Sequence, residues 1–249
     1  HSHTHSGTHK MDLKLFELNG INLTPFSHKI TNLQIADAEA LNELGIEIKF
    51  LAEISLGVRT ITWIGNITDE ATYLRFRKEL FGPGSKILKL NPNRQINITG
   101  LKAEDNLDMK DASKTSLTLT LFAADPLDYS ALESTAQITV INEGDQITVT
   151  NSGEAPTIPE WDISAINQII DPSITDAYGN TLGWTGIVDS GDVLVFRRDG
   201  TVTLNGINTG SATGSVLRFS PGSTVITYND DVNSSHSCML KATWRDAFY

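Results

Sequence analysis

The stretch SLTLTLFAADPLDYS, Ser116–Ser130, decides the fold. Leu117, Leu119 and Leu121 alternate with Ser and Thr, the period of a half-buried strand. The strand runs into Ala-Ala-Asp-Pro and stops there. Pro126 has no N–H to give a ladder, and it restricts Asp125 to extended backbone. Nothing in the stretch is equipped for catalysis. In a chain of 249 residues, a strand near the midpoint that ends in a rigid acidic corner reads as a domain boundary. The boundary falls within Asp125–Ser134, with one domain over residues 11–130 and a second over 131–249.

Outward from that strand the pattern stays at period two. Upstream, LKLFELNG ends in Asn19-Gly20, a tight-turn signal, and INL continues beyond it. IEIKF sets Ile46, Ile48 and Phe50 on one face, and VRTITW follows. Then the period changes. Thr68 or Asp69 can cap a helix, Asp69 and Glu70 suit its first turn, and Arg75, Arg77 and Lys78 suit its last. Gly82-Pro83-Gly84 stops it, so the spacing predicts one helix over 68–81. Its apolar groups are Ala71/Leu74/Phe81 and Tyr73/Phe76/Leu80.

Downstream of Glu133 the chain is almost wholly β. QITV occurs at 137–140 and 146–149 around Asn142-Glu143-Gly144-Asp145, which predicts a hairpin. GDVLVFRRDGTVTLNG predicts a second, turning at Asp199-Gly200. SVLRF and TVITY around SPGS predict a third, and CMLKATW a last strand. Short strands at this spacing make the second half a sandwich. The fold class is mainly β, with one helix in the first domain.

The totals exclude several functions. The first ten residues, HSHTHSGTHK, hold four of the six histidines and read as an expression tag or scar. Without its Lys10 the formal charge moves from −11 to −12. That acidity argues against a protein that grips nucleic acid through phosphates. The single Cys238 excludes an intrachain disulfide and a cysteine-based zinc site, and no apolar run is long enough to span a membrane. No cofactor or metal is expected. Glycine-rich phosphate loops, nucleophile elbows and zinc-protease motifs are all missing.

A few residues invite a chemical reading beside a plain one. His236, in NSSHSC, has serines around it, yet sequence adjacency is not triad geometry, and a polar loop histidine explains it. Glu160 and Asp162 flank Trp161 and would share a strand face, as a paired-carboxylate hydrolase needs. The plain reading makes APTIPEWDI an edge strand, with Pro156 and Pro159 fitting an edge and Trp161 packed inward. Trp184, in TLGWTGIV, could stack on a sugar or serve as half-buried packing. Trp161 and Trp184 are the ligand-binding candidates; no residue is assigned as catalytic, cofactor-binding or metal-binding.

The order of parts carries more than any one motif. LKLFELNGINL is followed by RTITWIGNITD, ATYLRFRKELFG and LFAADPLDYS. NSGEAPTIPEWDIS, GDVLVFRRDGTVTLNG, LRFSPGSTVITY and LKATWRDAFY come after. This succession, over nearly all of Met11–Tyr249, resembles the distal tail (Dit) proteins of long-tailed, non-contractile bacteriophages. The most specific pieces are Asp125, Pro126 and Tyr129; the NSGEAPTIPEW stretch; the turn at Pro221–Ser223; and Trp244, Arg245, Asp246, Phe248 and Tyr249.

The resemblance implies a structural virion component of the tail tip (baseplate), made in the host cytoplasm, and not an enzyme. Its first domain would assemble into a hexameric ring between the tail tube and the tail-tip hub. Its second would be a galectin-like β-sandwich to which receptor-binding proteins attach, and DNA would pass through the lumen. The sandwich lacks the His/Asn/Arg/Trp/Glu cluster of sugar-binding galectins, which places adhesion on a partner. The alternatives are a carbohydrate-binding β-sandwich acting in host adhesion, and a hydrolase using Glu160 and Asp162.

Overall fold

The computed structural model describes residues 15–34, 58–105 and 117–249. The tag, the IEIKF segment (46–50) and residues 106–116 lie outside the described residues. Among the described residues the fold is mainly β with one α-helix, and the chain divides into two compact units between Asp128 and Tyr129.

In the first unit, Asn19-Gly20 turns the chain as expected. Both residues take positive φ, 46° and 77°, the pair a two-residue hairpin turn requires, and Leu18 faces Ile21 across it. Glu17–Leu18 also pairs with Lys86–Asn91, which pairs in turn with Arg94–Ile98. A four-stranded antiparallel sheet runs in the order Ser27–Gln34, Arg59–Gly65, Leu117–Ala123, Gly100–Asp105. Arg59–Gly65 and Leu117–Ala123 each alternate strictly between buried and half-buried positions. Their inward residues Ile61, Trp63, Leu117, Leu119 and Leu121 share one core with Phe16, Leu18, Leu88 and Ile96. Phe16 stacks on Trp63, with ring centroids 5.7 Å apart, and Trp63 donates its indole N–H to Ser27.

The helix spans Glu70–Phe81, two residues shorter at its start than the spacing predicts, because Asp69 is the cap: its carboxylate accepts the Thr72 N–H at 2.7 Å. Phe76 and Leu80 pack into the core, while Ala71, Leu74 and Phe81 are exposed. Only one of the two expected apolar groups therefore faces inward. Gly82 ends the helix in extended backbone, and Lys86 donates to its carbonyl.

The second unit is a β-sandwich. Its six-stranded sheet runs Ser134–Val140, Cys238–Trp244, Glu160–Ala165, Val193–Phe196, Thr201–Leu204, Ile207–Ser211. Its five-stranded sheet runs Gln146–Asn151, Gly222–Asn229, Ser173–Asp176, Thr181–Gly183, Thr213–Gly214. Between them Trp161, Phe219 and Trp244 form two edge-to-face contacts in a core with Ile163, Leu194, Ile226 and Leu240.

Three local expectations change. The two QITV strands are not a hairpin: the first belongs to the six-stranded sheet and the second to the other. In the connection that crosses the sandwich, the Asp145 carboxylate accepts the N–H groups of Ile141 and Asn142. Glu160–Ala165 is an interior strand, not an edge, paired on both sides; Pro156 and Pro159 lie just before it, where no ladder bond is needed. SVLRF is not a full strand, since only Phe219 makes a bridge, to Thr157. The hairpin at Asp199-Gly200 is present, with Gly200 at φ 83° and Asp199 accepting from Thr201.

Candidate functional site

The residues singled out for chemistry do not gather in one place. Trp161 is 1% exposed and sits in the sandwich core, so it offers no ring face to a ligand. Its indole N–H has no hydrogen-bond partner, a cost the surrounding packing must offset. Trp184 is half-buried, with its ring over Gly186. Glu160 and Asp162 do share the outer face, but each is taken: Glu160 pairs with Arg197 at 3.0 Å and Asp162 with Lys241 at 3.5 Å.

His236 belongs to a polar network that its sequence neighbours alone do not reveal. Its Nδ1 meets one oxygen of the buried Asp230 carboxylate. The other oxygen accepts from the hydroxyls of Tyr228 (3.1 Å) and Ser234 (2.5 Å). Ser234 therefore donates to the carboxylate rather than to the imidazole, and the three do not form the relay a serine nucleophile needs. Burial, with Cys238 and Asp230 nearby, raises the Tyr228 hydroxyl far above its ordinary range. Burial likewise pushes the Cys238 thiol up to about 11, which leaves it unreactive. Among the described residues no group of three or more His, Cys, Asp or Glu is placed to hold a metal ion. No helix among them is long and apolar enough to cross a membrane.

The arrangement that is built with care lies around the stretch first quoted. Asp125 accepts the Leu127 N–H at 3.1 Å and tightens the Asp-Pro corner. Arg59 is an inward position of an alternating strand, a place normally apolar. It donates to the Pro126 carbonyl at 3.2 Å and pairs with Asp128 at 2.5 Å, and both side chains are buried. The first unit thus clasps residues 126–128.

The second unit has its own clasp. Arg245 donates to the carbonyls of Ser130 and Ala131, and its other nitrogen faces Glu133 at 3.6 Å. The Ser130 N–H donates to the Asp246 carbonyl. The Asp246 carboxylate accepts from the Trp244 indole at 3.0 Å and from the Ser152 N–H at 3.1 Å. Asn151 donates to the carbonyls of Ala155 and Phe219, and Thr157 to that of Arg245. Gly153 lies so close to Ala247 that a Cβ would collide with that residue's backbone. Three segments distant in sequence, 129–131, 151–157 and 244–247, are therefore tied into one knot.

Sequence reading found these segments as separate motifs and missed what joins them. Arg59 carried a signal, since an arginine in phase with Ile61 and Trp63 on a strand calls for a buried carboxylate. Which carboxylate it takes was not legible, because Asp128 is 69 residues away.

No family model matches the chain, and no curated protein does. Among solved structures the chain is similar to the Dit (gp 19.1) protein of SPP1, described as a paradigm of hub adsorption apparatus in phages that infect Gram-positive bacteria. The two are 13% identical, and the match covers 94% of this chain and 99% of that one with a TM-score of 0.56. A structure of infectious bursal disease virus, Gt strain, is 9% identical with a TM-score of 0.18, and carries no argument.

Proposed function

We propose that the protein is a structural component of a long non-contractile phage tail tip. In this reading the first unit forms a hexameric ring that joins the tail tube to the tail-tip hub. The sandwich lies outside it and anchors receptor-binding or other baseplate proteins. The protein does no chemistry, and its acidic surface does not retain DNA passing through the channel.

One observation carries the proposal: the likeness to SPP1 Dit runs through both units, in the same order and over almost the full length of each chain. The first unit supports it physically. Among the described residues, Ser27–Gln34 and Gly100–Asp105 are the outer strands of its four-stranded sheet, and ring closure is a way to cover such edges. The clasps suit a part that must withstand pulling, because each holds the connecting stretch to its own unit through side chains distant in sequence.

The test is the mass of tag-free protein by light scattering over a range of concentrations, with negative-stain images of the same sample. The expected result is closed sixfold rings, single or stacked. A strict monomer at every concentration sinks the ring.

A further inference from the structure

The two flanks of the sandwich are built in opposite ways. On one, the outermost strands are Ile207–Ser211 and Thr213–Gly214, a single stretch that crosses between the sheets at Ala212. This flank carries devices that keep a sheet edge from pairing. The register slips between Val202 and Thr203, and the last strand is two residues long. Gly210 and Gly214 hold φ of 117° and 80°, outside the range of regular strand backbone.

On the other flank the outermost strands are Ser134–Val140 and Gln146–Asn151. Their sequences, STAQITV and QITVTN, contain no charged residue, no proline and no glycine. Each runs in unbroken register with its one neighbour in the sheet. Leu132 before the first strand and Ile141 after it are 82% and 66% exposed. None of the usual protections of an edge is present, in a chain with a net charge of −11.

We propose that this flank binds a second copy of the chain, edge to edge, about a two-fold axis perpendicular to the sheets. Ser134–Val140 lies antiparallel to its counterpart, Gln146–Asn151 to its own, and both sheets continue across the interface. The geometry selects this occupant. The two edges belong to layers stacked about 10 Å apart, so one extended peptide satisfies only one of them. A second sandwich presents two edges at the same spacing by symmetry. The neutrality of both strands fits as well: acidic copies repel one another except where the facing surfaces carry no charge. The pairing does not rest on the proposed ring, which uses the first unit.

The test uses the full chain. Gln137 and Thr148 are exposed and lie near the middle of the two edges. The double variant Gln137→Lys/Thr148→Lys sets like charges opposite each other across the axis. Its melting temperature, compared with wild type, checks that the fold is kept. Light scattering should show a twofold fall in mass, from dimer to monomer or from a stacked pair of rings to a single one. Mixing it in equal amounts with Gln137→Glu/Thr148→Glu should restore the mass. A wild-type mass that the lysines leave unchanged overturns the pairing, as does a wild-type monomer at the highest soluble concentration. Single hexamers untouched by the lysines would overturn the pairing and uphold the ring. Dimers halved by them, with no rings, would do the reverse.

Discussion

Arg59 and Arg245 both hold backbone carbonyls of the stretch between residues 126 and 131, in different surroundings. Arg59 and its partner Asp128 have side chains only 2% and 5% exposed. Arg245 and Glu133 are 23% and 45% exposed, at 3.6 Å. The same guanidinium chemistry therefore has two different consequences. In the buried pair the penalty falls on whichever charge is left behind, whereas at the half-open site water takes over much of a lost partner's role.

The sharpest way to break that comparison is Arg59→Ala. It strands the Asp128 carboxylate in the core and should cost about 3–5 kcal/mol in the urea transition of the first unit. Arg59→Met with Asp128→Leu should regain most of it, because a well-packed apolar pair can replace a buried ion pair. A single-variant cost below about 1 kcal/mol would put the pair in the surface class with Arg245.

Packing in the second clasp should matter next. Gly153→Ala drives a methyl group into the backbone of Ala247, which no rotamer change relieves. Overpacking of this kind costs about 1–3 kcal/mol, read on the transition of the sandwich unit. Arg245→Ala should cost less, about 1 kcal/mol: it removes hydrogen bonds to two carbonyls that water can partly reach. If Arg245→Ala proves costlier than Gly153→Ala, the charge rather than the close approach holds the knot.

Much of this was legible from the sequence. The alternation of Leu117, Leu119 and Leu121, the Asn19-Gly20 turn, the Asp199-Gly200 hairpin and the helix Glu70–Phe81 all rest on local rules, and local rules fixed them. What escaped depended on contacts far apart in the chain. QITV at 137–140 and at 146–149 has hairpin spacing, yet the two strands pair with Cys238–Trp244 and Gly222–Asn229, partners about a hundred and about eighty residues away, in different sheets. Trp161 packs inward as its alternation predicts, but its partners there, Phe219 and Trp244, come from elsewhere in the chain. Prolines before Glu160 suggested an edge because a proline reports only on its own N–H. That Cys238–Trp244 and Val193–Phe196 flank the strand is a fact of topology. The knot of residues 129–131, 151–157 and 244–247 was invisible for the same reason, although each segment was noticed.

Asp145 completes the series, since it is the half-buried counterpart of the buried Asp128. The backbone N–H groups of Ile141 and Asn142 hold its carboxyl below the usual carboxylate range, with a slight opposing effect of burial. A carboxyl depressed in the folded state adds stability that is complete above its unfolded pKa and is lost as pH falls through the folded value. Asp145→Asn keeps an oxygen that can accept the same bonds and removes only the charge. The variant should be slightly less stable than wild type at neutral pH. The gap should close on acidification, when wild type becomes protonated, and urea midpoints across the carboxylate range would show it. A gap that does not change with pH would mean that the turn needs only the oxygen's position. The charge of Asp145 would then contribute nothing to holding the two strands in separate sheets.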